Sequence, residues 1–137
     1  MELVNKLAFK NIITLKSISD KNKNLENILQ KKFKFQYFYD DYKKILNDKK
    51  IDVVLILTSM NEHASIAKEA LINRKHVLVE KPMATNMKDL RELFLLAKKS
   101  KTFLVAAPFV ILSPTFQAMN QELKINTIGN VSLARAR

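Results

Sequence analysis

The sequence predicts an α/β protein built on a parallel sheet. Short runs of β-branched and apolar residues alternate with amphipathic stretches of helical period along the chain. Their spacing suits strand–helix–strand units, which set consecutive strands parallel and join them by right-handed crossovers. The run IDVVLIL, 51–57, is nearly continuous in β-branched residues and leucine, the pattern of a parallel strand covered on both faces.

The elements follow in order. Residues 12–19 (IITLKSIS) read as the first strand, ending at Asp20, and 22–32 as a short helix with Leu25, Ile28 and Leu29 on one face. Residues 35–39 form a short aromatic strand, after which Asp40 or Asp41 can cap a helix through Leu46 and Asn47. Strand 51–57 leads into the polar turn Thr58-Ser59-Met60-Asn61. A helix over about 62–73 then faces the core with Ile66, Ala67, Ala70 and Leu71. Residues 76–79 are a buried strand, 86–100 a helix carrying Leu90, Leu93, Phe94 and Ala97, and 102–107 the next strand. A last helix starts after Ser113-Pro114, where proline suits the first turn. The chain closes on a strand-like run at 128–137.

Composition narrows the function classes. The chain has 137 residues, 47% hydrophobic and 27% charged, which fits one globular domain rather than two or a disordered segment. No apolar run approaches the roughly 20 residues of a membrane helix, and MELVNKLAFKN lacks the layout of a signal peptide. The absence of cysteine excludes disulfides and thiolate metal sites and fits a cytoplasmic setting. The net charge of +11 comes mostly from lysine scattered over every segment, with sparse arginine and no basic stripe interleaved with aromatics. Neither a specific nucleic-acid partner nor a membrane is therefore expected. A single glycine, Gly129, stands where average usage would give roughly ten, so no glycine-rich phosphate loop exists in this chain.

In open parallel sheets, ligands bind outside the carboxyl ends of the strands. Asp20, Thr58-Ser59 and Glu80-Lys81 all fall at such ends. The last pair is the most telling. The buried strand HVLVE stops on a carboxylate, an ammonium and Pro82, a residue that cannot continue a ladder.

An aspartate after the early strand, a Thr58-to-His63 turn after the central one and HVLVEKPMA after the next together resemble the Gfo/Idh/MocA family of NAD(P)-dependent oxidoreductases. The likeness runs from about Leu7 to the end of the chain. It implies a Rossmann-like doubly wound sheet and hydride transfer between a nicotinamide and a sugar or cyclitol hydroxyl or ketone. The cofactor would be NAD or NADP. By the resemblance, Asp20 would hydrogen-bond the adenosine ribose hydroxyls and slightly favour NAD, although Lys21 leaves room for a 2′-phosphate. Read alone, Asp20 equally caps the following helix. Thr58 and Ser59 would line the dinucleotide groove, where many relatives have proline in place of Ser59. His63 matches the family's histidine, whereas in isolation it reads as a helix-end packing residue. Glu80 would sit in the cofactor pocket, and Lys81 would be the catalytic acid–base group, tuned by partial desolvation. The competing reading of Glu80-Lys81 is a strand-end salt bridge. The Lys-Pro bond is often cis in the family.

Against the family pattern, the first strand and its glycine-rich loop are missing, with Met1 expected inside the helix that follows them. In strand order 3-2-1-4-5-6 that loss leaves a gap between the second and fourth strands and removes the amides that hold the pyrophosphate. Residues 1–125 are thus expected to be a partial NAD(P)-binding domain. Residues 126–137, with IGNVSLARAR, would open a second α/β substrate domain of which only the first strand is present. Phe109 and Ile111 stand where relatives often carry Asn and Arg. The fragment itself is expected to be inactive, and homo-oligomers are expected only with the second domain. The rival reading is a non-catalytic, degenerate or interaction protein on a Rossmann-like fold.

Overall fold

The computed structural model describes residues 10, 12–107 and 113–133. The expected helix remnant at 1–9, the apolar Phe109 and Ile111, and residues 134–137 lie outside them. The chain divides into two compact units between Ala106 and Ala107.

In the first unit, strands and helices alternate as the patterning predicts. β1 (Ser17–Ser19) is followed by a 3-10 turn (Lys23–Leu25) and α1 (Glu26–Lys32), then β2 (Tyr37–Tyr39) and α2 (Lys43–Asn47). β3 (Val53–Ile56), α3 (Met60–Ile72), β4 (His76–Glu80), α4 (Met87–Ser100) and β5 (Leu104–Ala107) complete it. β1 is shorter than the run 12–19 suggests, and Ile12 and Ile13 are exposed. Polar groups punctuate the helices. The Asp41 carboxylate accepts the Lys43 N–H ahead of α2, and Asn86 caps α4 by accepting from Asp89 N–H.

The sheet is in two pieces. β1 pairs in parallel with β2, and β3 in parallel with β4, which lies between β3 and β5. No described strand joins β1 to β3. Ion pairs flanking β1 span the gap between the pieces. Lys16, just before it, pairs with Asp48 ahead of β3, and Lys21, just after it, pairs with Glu62 in α3 at 3.0 Å.

One face of the three-stranded sheet is closed by α3 and α4. Val77 and Val79 pack there with Ile66, Ala67, Leu71 and Leu93. The other face is open among the described residues: Val53 is 57% exposed, and Phe103 and Val105 are exposed beside it. The covering of β3 on both faces expected from its composition is therefore not found, because helices α3 and α4 reach only one of them. Likewise Ile28 and Phe94, expected on core faces, are exposed.

A buried lysine lies at the amino ends of the strands. Lys75, 5% exposed, donates to the carbonyls of Asp48 at 2.6 Å and Ile51 at 2.8 Å. In the second unit, Ser113 caps α5 (Pro114–Lys124), with proline in its first turn as expected. Residues 128–133 are not a strand. Asn126 and Gly129 take left-handed φ values of 59° and 68°, and no described strand supplies a ladder partner.

Candidate functional site

The site residues read from the sequence stand at the carboxyl ends of the strands. Asp20 directly follows β1, and its backbone N–H donates to Tyr39 O at 3.0 Å. Its Oδ1 accepts the Asn22 N–H at 2.8 Å, an Asx turn, while Asn22 is the residue that caps the next segment. One carboxylate oxygen thus fixes the turn, and Oδ2 remains for a hydroxyl ligand.

Thr58 and Ser59 form the exposed turn between β3 and α3, with Ser59 at the helix N-cap. Ser59-x-x-Glu62 has the spacing of a capping box, yet the side chains pair differently. The Ser59 hydroxyl donates to Glu62 Oε2 at 3.2 Å, and Glu62 Oε1 accepts from Lys21 Nζ. The Lys21 ammonium, followed by the Ser59 hydroxyl, holds the Glu62 carboxyl below its ordinary 4.5.

Glu80 ends β4 and turns back, its Oε2 accepting the backbone N–H of Lys81 at 2.8 Å. It does not pair with the Lys81 ammonium. Lys81 is exposed, so the partial desolvation expected of an acid–base lysine is not provided by the described residues. The Lys81–Pro82 bond is cis.

His63 joins two of these loops. Its Nε2 lies 2.9 Å from Thr58 O and its Nδ1 2.7 Å from Pro82 O, and the residue is 2% exposed. Both ring nitrogens are engaged with backbone carbonyls, so the ring clasps the turn after β3 to the turn after β4 and presents no free nitrogen to a ligand. The sequence shows a histidine at a helix start. It does not show that the ring's two partners lie 5 positions before and 19 after it.

Sequence reasoning missed Glu62, whose capping-box spacing is a readable signal, and the Pro82 carbonyl, which nothing local marks. Among the described residues no group of His, Cys, Asp or Glu could hold a metal, and no helix is long and apolar enough to cross a membrane.

The donor set fits the sugar and nicotinamide ends of a dinucleotide. A half-buried strand-end carboxylate follows β1, an exposed ammonium follows β4, and an exposed hydroxyl turn follows β3. A glycine-rich turn for the pyrophosphate does not occur in this sequence.

Comparison with known proteins identifies the family and the fold. The family model described as an oxidoreductase family with an NAD-binding Rossmann fold matches residues 4–107. A trans-1,2-dihydrobenzene-1,2-diol dehydrogenase of Danio rerio is 32% identical over 98 residues, covering 72% of this chain and 29% of that protein. A myo-inositol 2-dehydrogenase of Thermotoga maritima is 25% identical over 121 residues, covering 88% of this chain and 36% of the relative. A levoglucosan dehydrogenase in complex with NADH superposes with a TM-score of 0.80 at 26% identity, covering 85% of this chain and 32% of the other. The chain therefore spans about a third of the length of these relatives. With its parallel strands, its strand-end polar groups and a family match over residues 4–107, the chain belongs to the Gfo/Idh/MocA oxidoreductases, in the part that forms their NAD-binding Rossmann fold.

Proposed function

We propose that the chain supplies most of the cofactor half of an NAD(P)-dependent oxidoreductase acting on a sugar or cyclitol hydroxyl or the corresponding ketone. The observation that carries this is the placement of Asp20, Thr58-Ser59 and Lys81 at the carboxyl ends of β1, β3 and β4, with the Lys21–Glu62 pair and the His63 contacts running between their turns. Relatives with diol, inositol and levoglucosan dehydrogenase names support the substrate class.

The dinucleotide, when bound, accepts hydride from the carbinol carbon or returns it. Asp20 Oδ2 would accept from a ribose hydroxyl, and Thr58, Ser59 and Glu80 would border the groove. Lys81, as the neutral amine, would take the hydroxyl proton as hydride leaves, and as the ammonium would return it in reduction. Its exposed ammonium has no ion-pair partner among the described residues, so it is available to a substrate oxygen. The desolvation that tunes such a lysine would come from the bound nicotinamide and from whatever covers the rim.

The test has two arms. NAD titrated into the 137-residue chain should shift the amide resonances of Asp20, Ser59 and Lys81 at millimolar concentration, with no dehydrogenase turnover. In a protein extended through a glycine-rich turn and a substrate domain, Lys81→Ala should lower kcat by about 10²–10⁴-fold while NAD affinity holds. Unchanged kcat removes Lys81 from the chemistry, and no amide shifts at any NAD concentration overturn the cofactor assignment.

A further inference from the structure

The rim around Asp20 is rich in lysine, yet its cations are already engaged. Lys21, the residue next to Asp20, reaches 3.0 Å to Glu62. Lys23 reaches 2.9 Å to Asp40 at the end of β2, and Lys44 stands 3.7 Å from the same carboxylate. The Lys23 ammonium, donating to Asp40, holds that carboxyl below its ordinary value, and Asp40 in turn raises Lys23. In a chain of net charge +11, the carboxylate at the end of β2 therefore carries Lys23 and Lys44, while Lys21 beside Asp20 at the end of β1 is turned onto Glu62 of α3.

This bears on cofactor choice. A 2′-phosphate on the adenosine ribose carries nearly two negative charges and needs a free ammonium or guanidinium close to the ribose. The unphosphorylated ribose needs only an acceptor for its hydroxyls. Asp20 provides that acceptor, and Lys21 is the nearest cation along the chain. Glu62 draws Lys21 towards α3. The carboxylate does so at the expense of its capping-box geometry, since one oxygen takes Lys21 and the other takes the Ser59 hydroxyl.

We infer that Glu62 is a specificity-determining residue that selects NAD over NADP by holding Lys21 away from the ribose 2′ position, with Asp40 doing the same to Lys23. The inference rests on the cofactor assignment proposed above and adds to it the preference between the two dinucleotides.

NADP and NAD are titrated separately into the full 137-residue chain, following the amides of Asp20, Lys21 and Glu62 by NMR. The wild type should bind NAD more tightly than NADP. Glu62→Gln, which frees Lys21, should tighten NADP by about 2–5-fold, the fold-change that one exposed ion pair supplies, and leave NAD within about twofold. Adding Asp40→Asn should tighten NADP further. Adding Lys21→Met to Glu62→Gln should abolish the first gain, which separates release of the lysine from simple loss of a negative charge. NAD binding with an NADP affinity that Glu62→Gln leaves unchanged overturns the inference alone. A gain that survives Lys21→Met also overturns it. Wild-type preference for NADP does so as well. Failure of either dinucleotide to perturb these amides overturns the cofactor assignment, and this inference with it.

Discussion

Replacing His63 by leucine tests whether the clasp between the two site turns is held by hydrogen bonds or merely by packing. Leucine keeps most of the buried volume but donates nothing to Thr58 O or Pro82 O, which now lie 2.9 and 2.7 Å from ring nitrogens. A neutral imidazole, with one N–H, satisfies one of the two, and losing one such hydrogen bond costs about 0.5–1.5 kcal/mol net. The expected loss is therefore that of one hydrogen bond. Set against a typical domain stability of about 5–15 kcal/mol, it is large enough to read in a urea titration as a lower midpoint with unchanged slope. Hydrogen exchange should localise the effect. Amides at 58–62 and 81–84 should lose protection while those of β1 and β2 keep theirs. A His63→Leu variant within about 0.5 kcal/mol of wild type, or with protection lost uniformly, would refute the clasp.

Two further predictions concern charge. Lys75→Met should lower stability by about 2–4 kcal/mol in the same titration, because it strips the donor from the Asp48 and Ile51 carbonyls in a buried position. Lys68 bridges Asp89 and Glu92 on α4, each at 2.7 Å; Lys68, then Asn86, hold the Asp89 carboxyl below its ordinary 3.8, and Lys68 itself lies above its ordinary 10.5. Stability from the Asp89 side is then complete above about pH 4 and lost as pH falls through its lowered folded value, while the Lys68 side is lost as pH rises past 10.5. Lys68→Met should flatten both limbs of a Tm–pH profile, and a profile of unchanged shape would refute the assignment.

What the sequence revealed and what it concealed divide along one physical line. Helices α3 and α4, strand β4 and the start of α5 at Pro114 were legible because periodicity and the preference of proline for a first helical turn are local. The strand-end positions of Asp20, Thr58 and Lys81 were legible because alternating strands and helices put every strand's carboxyl end on the same rim. Exposure was not. Val53, Ile28 and Phe94 are apolar enough for a core, but hydropathy states what could be buried and not whether another element arrives to bury it. Residues 128–133 failed as a strand for the same reason, since a ladder needs a partner that no local pattern supplies. The side-chain ties were the least legible. Nothing local marks Lys16 or Lys75 as tied to a distant carbonyl or carboxylate, and the sequence shows Lys21 only as a cation beside Asp20. Their partners lie 32, 27 and 41 positions away in the chain. Those distant ties matter most where the backbone does least. β1 and β3 share no hydrogen-bond ladder among the described residues, and the pairs on either side of β1, Lys16 with Asp48 and Lys21 with Glu62, reach across to residues flanking β3. From there His63 carries the rim on to Pro82 and Lys81. In this chain the strands set where the polar groups stand, and side-chain contacts span the gap between the two pieces of the sheet.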